Sequence, residues 1–136
     1  MSSKILFVCL GNICRSPTAH AVMRHKATKL ATPIVVESAG TSASHRGQAP
    51  DPRSVSQGTA AGYSFAGIVS RPVKDSDFAE YDLILDGTDN FDTRYMVNRL
   101  AVEAGKPLIS AAITQWEGQV SLFHPGAGGP CYECVF

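Results

Sequence analysis

Cys9 and Arg15 stand six positions apart, with Ser16 beside the arginine and Pro17 directly after it. A phosphate dianion needs several converging donors, and successive backbone N–H groups that feed a helix N-terminus supply them without charged side chains. Leu10, Gly11, Asn12, Ile13, Cys14 and Arg15 lie where such a cradle would form, closed by a thiol at one end and a guanidinium at the other. That environment favours a nucleophilic thiolate at Cys9. Arg15 offers a planar fork for two phosphoryl oxygens, which can follow charge into a transition state. Taken alone, a cysteine and an arginine at this spacing are a weak pattern, since most cysteines of sheet proteins are small buried hydrophobes. Gly11 and Asn12, at positions that need unusual backbone angles, strengthen it.

The elements needed to hold the loop can be read on either side of it. Residues 4–9 are dominated by Ile, Leu, Phe and Val, as in a strand buried on both faces of a parallel sheet. Pro17 suits a helix first turn, with Ser16 as its cap and the helix running to about Leu30. A second strand is expected at residues 34–38, a long loop at 39–52, helices from Pro52 to about Ala61 and from Asp75 to Glu80, and a strand at 82–85. A helix follows from Phe91 to Ala104, burying Met96, Val97, Leu100 and Ala101, then strands at 107–113 and 119–123. The tail at 124–130 reads as poorly ordered, and Trp116 as core or interface. Strands alternating with helices give one α/β domain over residues 1–136: a parallel sheet with helices on both faces, a flavodoxin/Rossmann-like three-layer fold with ligands at the strand carboxyl ends.

The 136 residues carry twelve basic and twelve acidic side chains, so no global field draws the chain to nucleic acid or to an anionic membrane. Any anion binding is local. The apolar run at residues 5–10 is too short for a signal peptide, no stretch reaches membrane-span length, and the four cysteines read as thiols or metal ligands, all of which point to the cytoplasm.

With the loop go Ser38-Ala-Gly-Thr41, His45-x-Gly47, Asp51-Pro-Arg53 and the stretch from Asp77-Phe to Asp82-Leu-Ile-Leu85. Over about residues 4–85 the chain resembles the low-molecular-weight protein tyrosine phosphatases. The resemblance implies that Cys9 forms a phosphocysteine, that Arg15 binds the phosphoryl group, and that Ser16 eases thiolate formation and departure. It also implies that Asn12 holds the loop's shape, that His45 hydrogen-bonds to the loop, and that Cys14 can form a reversible disulfide with Cys9. The ligand would be phosphate, sulfate or a phosphotyrosine-like group.

The same family places its general acid in a late Asp-Pro pair followed by aromatics, and no such pair exists here; Asp51-Pro52 is the only one and matches an earlier feature. By position, Asp86 and Asp89 are candidates to replace it. From about residue 82 to the end the chain instead resembles the ThiF/MoeB-type adenylyltransferases, through Asp82-Leu-Ile-Leu-Asp-Gly-Thr-Asp-Asn-Phe-Asp-Thr-Arg94, Gly105-Lys-Pro-Leu-Ile-Ser-Ala-Ala112, Glu117-Gly-Gln-Val-Ser-Leu-Phe123 and Pro130-Cys-Tyr-Glu-Cys-Val-Phe136. That resemblance makes Asp89, Asn90 and Arg94 a vestigial nucleotide site, without the Gly-rich loop that would precede it. It makes Cys131 and Cys134 half of a four-cysteine zinc site, which a second chain would have to complete as a homodimer. The chain thus reads as a chimera joined at the strand 82–85. Exposed strand edges of such a spliced sheet favour self-association.

Overall fold

The computed structural model describes residues 2–136. A five-stranded sheet in the order β2-β1-β3-β4-β5 organises the chain, formed by β1 (Ser3–Cys9), β2 (Ile34–Gly40), β3 (Leu83–Asp86), β4 (Leu108–Ile113) and β5 (Gly118–Phe123). The first four strands run parallel and β5 returns antiparallel to β4. Around them lie α1 (Arg15–Lys29), α2 (Pro52–Ala60), α3 (Asp75–Glu80), α4 (Phe91–Glu103) and a final turn, α5 (Tyr132–Val135). The α/β fold is the one the alternating pattern predicts.

Strand pleating sorts the side chains into two layers. Leu6, Val8 and Ile84 point to one face and pack with Phe78 and Tyr81 of the α3 region, Val97 and Ala101 of α4, and Leu108, Phe123 and Tyr132. Phe7 points to the other face and lines a groove together with Ala19, Val22 and Met23 of α1. Helix α1 covers β1 and β2 only. In register with Phe7 come Leu85, Ile109 and Leu122; Leu122 is 65% exposed, and beyond this row Ile113 and Val120 are 87% and 74% exposed. Part of the α1-side face of the sheet therefore stays open, beside a groove of about 610 Å³ lined by Phe7, Val22 and Met23.

Several expectations change in detail. Helix α1 starts at Arg15 with Cys14 at the cap position, so Ser16 lies inside the helix and spends its hydroxyl elsewhere. Helix α3 starts at Asp75 and is capped by Lys74, whose N–H donates to the Asp77 carboxylate at 2.8 Å. Helix α4 buries Arg94, Val97, Asn98 and Ala101, leaving Met96 40% exposed: two polar residues turn inward because each finds hydrogen-bond partners there. Trp116 is 86% exposed at the β4–β5 turn. The tail is ordered, with a short 3-10 turn at Pro125–Ala127 and Tyr132 anchored in an aromatic cluster with Phe123, Tyr95 and Phe136.

Candidate active site

Cys9 ends β1 at the carboxyl edge of the sheet and is buried, 3% exposed. Its Sγ lies 2.9 Å from Ser16 Oγ. Asn12 Nδ2 donates to that same oxygen at 2.8 Å, which leaves the Ser16 O–H free to donate to the sulfur. A charged sulfur is steadied by such a donor. Asn12 itself is fully buried in the left-handed region at φ 52°, a conformation that asparagine tolerates better than most residues. Its Oδ1 accepts from the Arg71 N–H at 2.9 Å.

The loop is braced from outside along its length. Thr41 N donates to Cys9 O and Ser42 N to Leu10 O, both at 2.9 Å; Ser70 Oγ donates to Gly11 O at 3.1 Å, and Asp51 N donates to Ile13 O at 2.6 Å. Each contact takes a loop carbonyl outward, the arrangement that leaves a cradle's N–H groups for an anion. Gly40 makes the close approach possible: a Cβ there would stand 2.7 Å from Leu10 O and 3.0 Å from Asn12 Cβ. Arg71, whose N–H holds Asn12, is fixed by Asp77 at 2.8 Å and Glu37 at 3.2 Å. Gly40 belongs to the Ser38-Ala-Gly-Thr41 segment read from the sequence, whereas Ser70 and Arg71 were not singled out; they lie far from the loop along the chain, and no periodicity marks them.

Arg15 reaches across to the turn after β3, where Nη1 donates to Gly87 O at 2.8 Å and Nη2 to Asp89 Oδ2 at 3.0 Å. Both side chains are about half exposed. The guanidinium, by hydrogen bond and by charge, holds the Asp89 carboxyl below the usual carboxylate range. Asp86 is 1% exposed and shares the pleat face of Val8 and Ile84, opposite to that of Cys9. Its Oδ1 accepts from Thr88 N at 2.8 Å, while Oδ2 is buried without a partner.

Other expected site residues take different partners. His45 packs its ring edge on Gly11, where an added Cβ would come within 3.1 Å of Cδ2, but its hydrogen bond goes to Gln48 Oε1 at 3.0 Å and not to the loop. Cys14 is exposed, and its Sγ lies 3.2 Å from Ser54 Oγ on α2. Asp51 caps α2 and pairs with Arg53, which holds its carboxyl down at about 2. Asn90 caps α4 by accepting from Thr93 N at 2.9 Å. The buried Arg94 guanidinium donates to Ser110 Oγ at 2.9 Å, to Ala111 O at 3.0 Å and to Thr88 O, clamping the β3–α4 turn to β4. Asp89, Asn90 and Arg94 thus each make hydrogen bonds within the fold.

Cys131 and Cys134 come together, Sγ to Sγ 3.3 Å. A structural zinc takes four ligands in a tetrahedron. Among the described residues no group of three or more His, Cys, Asp or Glu side chains is placed to hold a metal, so the pair does not fit that site within one chain. Among the described residues, too, no helix is long and apolar enough to cross a membrane.

Residues 4–103 match the low molecular weight phosphotyrosine protein phosphatase family, and the chain belongs to it. The match runs through α4, past the strand at which the sequence resemblance stopped. YfkJ from Bacillus subtilis superposes with a TM-score of 0.68 at 32% identity, over 76% of this chain and 65% of that one. The protein tyrosine phosphatase from Entamoeba histolytica, in a product-state mimic, gives 0.64 at 42% identity, over 71% and 61%. A different likeness covers 60 residues: the sulfur carrier protein adenylyltransferase of Thermus thermophilus is 55% identical over 41% of this chain, which spans 22% of that protein's length.

Proposed function

We propose that this protein hydrolyses aryl phosphomonoesters, with phosphotyrosine as the substrate class, through a phosphocysteine at Cys9. The observation that carries this is the Asn12–Ser16–Cys9 chain, which aims a hydroxyl donor at a sulfur placed at the mouth of an N–H cradle. In the first step the Cys9 sulfur attacks phosphorus, the P–O bond to the leaving group breaks, and the loop amides with Arg15 take the charge on the equatorial oxygens. Ser16 then stabilises the departing sulfur as water cleaves the P–S bond and phosphate leaves. Sulfate or free phosphate would occupy the same cradle.

Proton donation to the leaving group is weak in this reading. Asp89 is held ionised by Arg15, and Asp86 lies on the opposite pleat face, tied to Thr88. Loss of a general acid costs roughly 10²–10⁴-fold, so turnover is slow except for good leaving groups. Hydrolysis of p-nitrophenyl phosphate by the full chain, abolished in Cys9→Ser, is the expected result. No hydrolysis, or hydrolysis that survives Cys9→Ser, overturns the proposal. Phosphate binding without turnover would favour a second reading, a non-catalytic anion-binding scaffold.

We further read the chain as one α/β domain built from a phosphatase-like segment (1–85) and an adenylyltransferase-like segment (82–136), joined on β3. The likeness to the Thermus adenylyltransferase supports this. Adenylyl transfer itself gains no support from Asn90 and Arg94, whose groups are occupied. Free thiols and phosphocysteine chemistry suit a reducing cytoplasm. The open β5 edge and the apolar face beside it favour pairing of two copies, which sedimentation checks.

A further inference from the structure

The C-terminal Cys-x-x-Cys lies outside the residues matched by the phosphatase family, and the phosphate loop makes no use of it. It is held in a defined geometry. Asn98, buried at 2% exposure on α4, points its whole amide at this segment: Oδ1 accepts from Tyr132 N at 2.9 Å and Nδ2 reaches Cys131 Sγ at 3.5 Å. Tyr132, 5% exposed, locks the turn into the core and stacks on Phe136 with ring centroids 4.8 Å apart. Arg99 pairs with Glu133 at 3.0 Å across the same junction. Cys131 is half-buried under Asn98, whereas Cys134 is exposed.

The two sulfurs, 3.3 Å apart, need little more than an ångström of approach to bond. Pairs at this spacing on an α/β frame carry out thiol–disulfide exchange. We propose that Cys131 and Cys134 form a thiol–disulfide exchange site for low-molecular-weight disulfides, independent of the phosphate loop. The Cys131 sulfur, as thiolate, attacks one sulfur of the disulfide, whose S–S bond breaks to release one thiolate. That thiolate takes the proton given up by the Cys134 thiol. Cys134 then attacks Cys131 Sγ in the mixed disulfide and expels the second thiolate. One small disulfide is reduced, and the dithiol is oxidised to one intrachain disulfide. Asn98 is a positioning residue that fixes the turn and contacts the attacking sulfur.

The test uses the full chain carrying Cys9→Ser and Cys14→Ser, equilibrated with reduced and oxidised glutathione, quenched with acid, alkylated and mapped by mass spectrometry. The expected result is joint loss of both thiols into a Cys131–Cys134 cross-link. A further Cys134→Ser change traps glutathione on Cys131, while Cys131→Ser leaves Cys134 reacting about tenfold more slowly. Mixed disulfides at both cysteines without a cross-link overturn the proposal. So does purification with half an equivalent of zinc per chain and both thiols protected from exchange.

Discussion

Ser16 and Asp89 contact the two ends of the loop that we propose binds phosphate, the Cys9 sulfur and the Arg15 guanidinium. Ser16, directed by Asn12, serves the sulfur, while Asp89 competes with any bound anion for Arg15. An exposed ion pair is worth at most about 1 kcal/mol, so Asp89→Asn should tighten binding of phosphate or vanadate by up to about fivefold. Competitive inhibition of p-nitrophenyl phosphate hydrolysis measures it. Unchanged or weaker inhibition would mean that Arg15 is not released by the change. The chemistry of this loop was legible in the chain because Cys9, Gly11, Asn12, Arg15 and Ser16 all fall within residues 9–16. The occupied state of Arg15 was not, since Asp89 reaches it only through a sheet crossover. The same holds for His45, whose partner Gln48 lies three residues on in a loop without periodicity.

Among the elements, the parallel strands and α1 follow from short apolar runs bounded by Gly, Asn and Pro. The cap of α1 was misread: Ser16 is the residue type that caps helices, and here the sulfur and Asn12 claim its hydroxyl. The inward face of α4 was misread for a related reason, since Arg94 and Asn98 are buried to hold β4 and the C-terminal turn. Gly40 is where β2 meets the loop. Gly40→Ala should destabilise the fold by about 1–3 kcal/mol, because the new methyl meets the Leu10 carbonyl and the Asn12 side chain, neither of which can move without losing the cradle. Denaturant unfolding measures the loss, and wild-type stability in this variant would show the loop to be more yielding than its packing implies.

For the whole molecule, burial against the sheet couples stability to pH. His20, packed between α1 and β2 beside Ser38, has its ring held down from 6.5 to about 4, chiefly by burial and then by the charge of Arg24. The unfolded chain takes up that proton below 6.5 and the folded chain only near 4, so this stability is complete above 6.5 and is lost as the pH falls toward 4. Thermal unfolding should show a decline over that window, and His20→Asn should flatten it; an equal decline in both proteins would assign the effect elsewhere. The most direct test of the active site is kcat/KM of the full chain for a series of aryl phosphates with rising leaving-group pKa. A nucleophile and anion cradle without a proton donor predicts a steep fall along the series. A rate indifferent to the leaving group would contradict it and show that an acid operates in the site.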